Sequence, residues 1–244
     1  MNPDPVPTGP THLGAEPAGH HWLLLRSGLS DAALNMALDE ALLEAMPQVR
    51  APVLRFYGWT QPAASFGYFQ NVADVERATD LRPLVRRPTG GGIVPHDHDW
   101  TYSLTIPAGH DWYGLKAKAS YRRIHEWIRA AFTHLEISVD LAPARRSAAP
   151  GHCFEGWEES DVLWHGRKVA GAAQRRTRTG LLIQGSVQPP PGAPSRLVWE
   201  RAMVSTAPWG ATERSEFAPD AALLHRAAAL AVHKYSRDEH NRKR

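Results

Sequence analysis

Between Asp161 and Val187 three short runs, DVLWH, KVAGAAQ and LLIQGSV, follow one another with only Gly166-Arg167 and RRTRTG between them. Strands joined by so few residues lie antiparallel, because a parallel return needs a crossover of a dozen residues or more. DVLWH and KVAGAAQ are predicted to be the arms of a hairpin about Gly166-Arg167, and TRTG leads into a further strand. Upstream, VLRFYGW at 53–59 and ASFGYFQ at 64–70 read as strands separated by Pro62 and expected to pair within one sheet, and WTYSLTIP at 100–107 reads as a strand stopped by Pro107. From Asp31, Leu34, Leu38, Ala41, Leu42 and Ala45 recur at helical spacing, with Asp31 near the positive end of the helix dipole, and predict an amphipathic helix. A second helix is expected at 116–135, where Tyr121, Ile124, Ile128, Phe132 and Leu135 form an apolar stripe that reads as core. A last one is expected near 218–235. Strands outnumber helices and come partly as hairpins, so the expected class is α+β, a mixed, largely antiparallel β-sheet flanked by helices.

The first twenty residues carry no periodic apolar pattern and read as a flexible arm. QPPPGAPSR at 188–196 reads as a proline-rich surface loop, 21–236 as a single domain, and RDEHNRKR at 237–244 as a charged, solvated tail. An apolar content of 43% and a charged content of 22% describe a soluble globular chain. No apolar run approaches the roughly 20 residues of a membrane helix, and Trp22 to Leu25 is too short for a signal-peptide core, so a cytoplasmic protein with no membrane partner is expected. The net charge is only +3, and much of the excess sits in the terminal run, so no nucleic-acid partner is expected.

The only cysteine, Cys153, stands fifteen residues before Lys168. A single cysteine excludes an internal disulfide. A free cysteine is either a small buried hydrophobe or, as a thiolate, a strong nucleophile, and a nearby cation favours the ionised form. Pro150, Gly151 and His152 make its surroundings turn-rich, where a core residue is less expected. The second conspicuous segment is RRPTGGGIVPHD at 86–97. Gly90, Gly91 and Gly92 let backbone lie against a ligand or form a mobile turn. Of Arg86 and Arg87 only one can face a site from an alternating strand. His96 and His152 are each a base or a satisfied hydrogen-bonding histidine, and Asp97 either orients a pocket group or caps a turn. Lys168, an exposed lysine or a site cation, can point its ammonium at an oxygen on which charge develops.

NMALDEALL at 35–43, LRFYGW with SFGYFQ at 54–70, RRPTGGGIVPHD at 86–97 and GRKVAGAAQRR followed by GLLIQGSV resemble, in order, the motifs of the lipoate-protein ligase A and octanoyltransferase family within the biotin/lipoyl-attachment superfamily. The resemblance spans roughly 22–210 and implies a biotin/lipoyl protein ligase type of catalytic domain. It implies an acyl pocket lined by the glycine segment, with Arg86, Arg87, Gly90, Gly91, Gly92, His96, Asp97, Gly171 and Ala172 as candidate substrate-binding residues. Cys153-Phe154 resembles the CF pair of the cysteine-dependent octanoyltransferases, so Cys153 and Lys168 are the candidate catalytic residues. The implied donor is acyl carrier protein bearing octanoyl-phosphopantetheine. The implied acceptor is a lysine of a lipoyl carrier domain, of a glycine-cleavage H protein or a dehydrogenase E2. No cofactor and no metal are expected on this route. ATP and Mg enter only in the alternative, a lipoate-protein ligase, and the expectation of only about fifty residues after the proline-rich loop favours transfer. A transferase acting between lipoyl carrier domains is a further alternative. The chain departs from the cysteine-class pattern in Ala172, where serine is frequent, in GWEESDV between Cys153 and Lys168, and in the third glycine, Gly92.

Overall fold

The computed structural model describes residues 21–147, 156–210 and 213–243; the expected N-terminal arm, His152 and Cys153 lie outside them. The chain begins with β1 (Trp22–Ser30), α1 (Ala32–Val49), β2 (Val53–Trp59), β3 (Ala63–Phe66), α2 (Val72–Ala78), β4 (Leu84–Arg86), β5 (Val94–His96) and β6 (Trp100–Pro107). It continues through α3 (Asp111–Gly114), α4 (Ala117–His134), β7 (Asp140–Leu141), β8 (Val162–Trp164), β9 (Arg167–Arg176) and β10 (Gly180–Val187). Then come α5 (Arg196–Ser205), β11 (Arg214–Glu216), α6 (Ala221–Leu230), a π-helical continuation at Ala231–Tyr235, and α7 (Asp238–Asn241).

Eight strands form one sheet in the order β11-β1-β2-β6-β10-β9-β8-β7, and β4-β3-β5 form a second. In the large sheet only β1 runs parallel to its neighbours, β2 and β11; the remaining pairs are antiparallel, as the close spacing of the runs after Asp161 requires. The expected mixed sheet flanked by helices is present. β3, however, does not pair with β2: both edges of β2 are occupied by β1 and β6, and β3 instead joins β4 and β5.

β6 shows how the layers are built. Trp100, Tyr102, Leu104 and Ile106 enter one core with Ile124, Ile128 and Phe132 of α4 and Trp199 of α5. The alternate residues Thr101, Ser103 and Thr105 are polar, yet the whole strand is buried, because α1 covers that face. Asp31 caps α1 through Leu34 N at 2.7 Å, but the helix is not amphipathic as expected: Asn35 to Leu43 are all buried between the sheet and α6. Its polar residues serve the polar face of the sheet. Asp39 Oδ1 accepts from Arg55 (2.7 Å) and Ser103 Oγ (2.6 Å), and Oδ2 accepts from Tyr57 OH (3.1 Å) and Gln184 Nε2 (2.8 Å). Asn35 accepts from Arg55 through Oδ1 and through its carbonyl. The motifs NMALDEALL and LRFYGW are thus two halves of one buried network.

The terminal run also differs from the solvated tail expected. Asp238–Asn241 is helical, His240 is buried, and the fully buried Arg86 guanidinium donates to the carbonyls of His240 (3.1 Å) and Asn241 (3.0 Å). A buried charge needs acceptors, and the carbonyls of a helix C-terminus supply them.

Candidate functional site

A cavity of about 330 Å³, in the range of small-ligand sites, opens between the small sheet and strands β9 and β10 of the large one. Tyr57 and Gln184, both anchored by Asp39, form part of its wall. Gln184 Oε1 also accepts from Thr89 Oγ1 at 2.8 Å, which ties the glycine segment to β10.

On one side stands Lys168. Pairing of β8 with β9 shifts register, Val162 opposite Ala170 but Leu163 opposite Lys168, so Val169 is an extra residue in a β-bulge. The bulge changes the alternation and lets Lys168 fold over Gly171: a Cβ on Gly171 would lie 2.6 Å from Lys168 Cε and 2.7 Å from Nζ. The ammonium meets Asp161 Oδ2 at 2.7 Å. Asp161 is fully buried; its Oδ2 also accepts from Glu158 N at 2.8 Å and its Oδ1 from Tyr121 OH. Burial first, then the Asp161 charge and hydrogen bond, push Tyr121 above the usual phenol range, so it remains a donor. His125 lies beneath, Nε2 3.9 Å from Asp161 Oδ1. Burial pulls it down to about 4, against the opposing effect of Asp161, so at neutral pH it is uncharged. Its Nδ1–H therefore donates to Tyr121 O at 2.8 Å.

On the other side Arg87 organises the glycine loop. Its guanidinium donates to Gly90 O (2.7 Å), Gly92 O (2.7 Å) and Ser65 Oγ (3.2 Å). Gly91 takes φ 87°, a left-handed conformation that suits glycine. His96 bonds Ser65 Oγ through Nε2 at 2.8 Å and Asp99 Oδ2 through Nδ1 at 2.9 Å.

At the rim, Arg146 and Trp157 exchange backbone hydrogen bonds of 2.8 and 2.9 Å. Ser147 and Gly156, the described residues on either side of 148–155, both line the cavity.

Of the residues singled out in the sequence, Lys168, Arg87, Gly91, Gly92, His96, Gly171 and Ala172 line this one cavity. Gly90 serves it indirectly, through the carbonyl that holds Arg87. Arg86 points elsewhere, into the carbonyls of Tyr68, Gln70 and the chain end, which resolves the choice between the two arginines. Asp97 is exposed and accepts from His98 N, a turn cap; the buried acid beside His96 is Asp99. Cys153 and His152 lie outside the described residues. Sequence reasoning missed Asp161, Asp99, Ser65 and Gln184, and read Tyr121 as core although it lines the cavity. Of these only Gln184 carried a signal, as a polar position in the otherwise apolar LLIQGSV.

A profile described as Lipoyl protein ligase A/B catalytic domain matches residues 31–188. The chain is 36% identical over 182 residues to Octanoyltransferase LipM of Geobacillus kaustophilus, 38% over 175 residues to that of Oceanobacillus iheyensis and 35% over 179 residues to that of Bacillus subtilis. Each alignment covers 68% of this chain, and the chain spans 63–64% of the length of these relatives. Its fold is similar to that of lipoate-protein ligase A solved with ATP (TM-score 0.75, 19% identity, 91% of this chain and 98% of that one). It is also similar to a bi-partite lipoate protein ligase of Thermoplasma acidophilum, studied with its E2 lipoyl domain (TM-score 0.68, 18% identity, 91% and 96% covered).

Proposed function

The chain belongs to the lipoyl protein ligase A/B catalytic-domain family, and from that premise we propose that it is an octanoyltransferase of lipoate biosynthesis, acting in the cytoplasm. The reading rests on the 35–38% identity to octanoyltransferases and is supported by the cavity that gathers the family motifs. The donor is octanoyl-phosphopantetheine on acyl carrier protein, and the acceptor is a lysine of a lipoyl carrier domain, of an H protein or a dehydrogenase E2. The catalytic unit runs from residue 21 into α7, whose His240 and Asn241 carbonyls hold Arg86.

Cys153 is the nucleophile. Supporting this reading, Gly156, three residues after it, lines the cavity together with Ser147, and Arg146 and Trp157 are joined by two backbone hydrogen bonds. The thiolate attacks the octanoyl carbonyl, a new C–S bond forms, the bond to phosphopantetheine breaks, and the departing thiolate takes up a proton. The acceptor amine then attacks the cysteine thioester, an amide forms, and the cysteine thiol is restored. Negative charge grows on the carbonyl oxygen in both steps. Lys168, held by Asp161 over Gly171, meets that charge, and so do backbone amides of the loop that Arg87 shapes. Methylenes of the acyl chain, at about 0.8 kcal/mol each, contribute several kcal/mol on entering the apolar part of the cavity. No metal or nucleotide takes part.

The test is transfer from octanoyl acyl carrier protein to an H protein without ATP, followed by acceptor mass. Transfer by wild type and its loss in Cys153→Ser are expected. Modification that needs free lipoate with Mg-ATP and survives Cys153→Ala contradicts the reading.

A further inference from the structure

Opposite Lys168 the cavity wall holds a chain of hydrogen bonds that charge stabilisation leaves unused. Ser65 on β3 and His96 on β5 are diagonal neighbours on one face of the small sheet, since His96 pairs with Ala63. Ser65 Oγ lies 2.8 Å from His96 Nε2, and His96 Nδ1 lies 2.9 Å from Asp99 Oδ2. Thr101 Oγ1 (2.9 Å) and Ser186 Oγ (2.7 Å) also donate to Asp99 Oδ2, which fixes the carboxylate as acceptor and His96 Nδ1–H as donor. With Nδ1 turned to Asp99, Nε2 is the ring atom that meets the Ser65 hydroxyl. Arg87 donates to the same hydroxyl oxygen, and Trp59 stacks on the imidazole at 3.9 Å and 18°. All three residues are buried, while Ser65 and His96 line the same cavity as Lys168.

We propose that Ser65, His96 and Asp99 form a proton relay for the acceptor amine; this rests on the acyl-transfer reading above. Exchange of one thioester for another replaces a thiolate by a thiolate and needs no net base. Amide formation does, because the attacking nitrogen becomes positively charged and must lose a proton before the amide is stable. Ser65 Oγ accepts that proton as its own passes to His96 Nε2, and the Asp99 carboxylate and the Trp59 face stabilise the imidazolium that results. The proton returns by the same path to the departing cysteine thiolate, so the step consumes nothing beyond amine and thioester. Ser65 touches the reacting amine; His96 and Asp99 act through it.

The experiment loads the enzyme from octanoyl acyl carrier protein, removes the donor, and follows single-turnover discharge to an H protein or to hydroxylamine, a weakly basic amine that depends less on a base. Ser65→Ala and Asp99→Asn should slow discharge to the H protein by about 100-fold or more, with the acceptor concentration dependence preserved and the loss to hydroxylamine far smaller. Wild-type discharge to the H protein in Ser65→Ala overturns the relay alone. Parallel loss with both amines also overturns it, as a structural effect. Thermal melting identifies a misfolded Asp99→Asn, in which case Ser65→Ala decides. A wild-type enzyme that never loads overturns the acyl-transfer reading and the relay with it.

Discussion

The space beside Gly171 is filled by the end of another side chain, the Lys168 ammonium, with Asp161 Oδ1 3.2 Å from where a Cβ would stand. Gly171→Ala must push the ammonium aside. A lysine tip moves at little cost to the fold, so the substitution should leave the melting temperature within a few degrees while lowering acyl transfer by about 10- to 100-fold, the order seen when one oxyanion-stabilising group is displaced. Unchanged transfer, read by acceptor mass, would show that Lys168 need not stand where the structure puts it. At this scale the sequence offered Lys168, Gly171, Arg87 and His96 through their motifs, but not their partners. Asp161 lies seven residues before Lys168, and only the bulge at Val169 brings the two together. The bulge shifts the alternation by one residue, and in KVAGAAQ, made mostly of small apolar residues, that shift has no visible signature. Asp97 and Asp99 were equally plausible beside His96 by type, and which carboxylate turned inward was decided by the donors Thr101 and Ser186, the latter from a distant strand.

Elements were more legible than partners. The strand at 100–107 and the helix at 116–135 come within a residue of β6 and α4, because both have strong periodicity and clear stops. α1 had the right period and cap but the wrong surroundings: its polar residues looked solvent-facing, whereas Asn35 and Asp39 meet Arg55 under the polar face of β6 and β10. WTYSLTIP was legible as a strand, but no local signal says that a helix will cover its polar face. This network supports the cavity wall, since Tyr57 and Gln184 both rest on Asp39. Arg55→Met leaves a buried carboxylate without its cation and should cost about 3–5 kcal/mol of unfolding free energy. Arg55→Met combined with Asp39→Leu should cost less than the sum of the single changes. Urea unfolding measures both, and a loss below about 1 kcal/mol for Arg55→Met would mean that the pair does not anchor the helix.

Across the whole molecule, two sheets that share no strand meet at one cavity, one bringing the glycine loop, Ser65 and His96, the other Lys168 and Gly171. The sequence placed all but one of these residues, Ser65, in a candidate site, but as a set of motifs; their convergence depends on the strand order and on β3 leaving β2 for a sheet of its own. The arrangement supplies a cation on one wall and a hydrogen-bonded relay on the other, and Ser147 and Gly156 line the same cavity. In the proposed mechanism an octanoyl group rests on Cys153 between donor and acceptor. The direct measurement is the intact mass of the protein after incubation with octanoyl acyl carrier protein, without ATP or acceptor, for wild type and Cys153→Ala. A single octanoyl adduct, released by hydroxylamine, is expected on wild type alone. No adduct on wild type, or an equal adduct on Cys153→Ala, would contradict that mechanism.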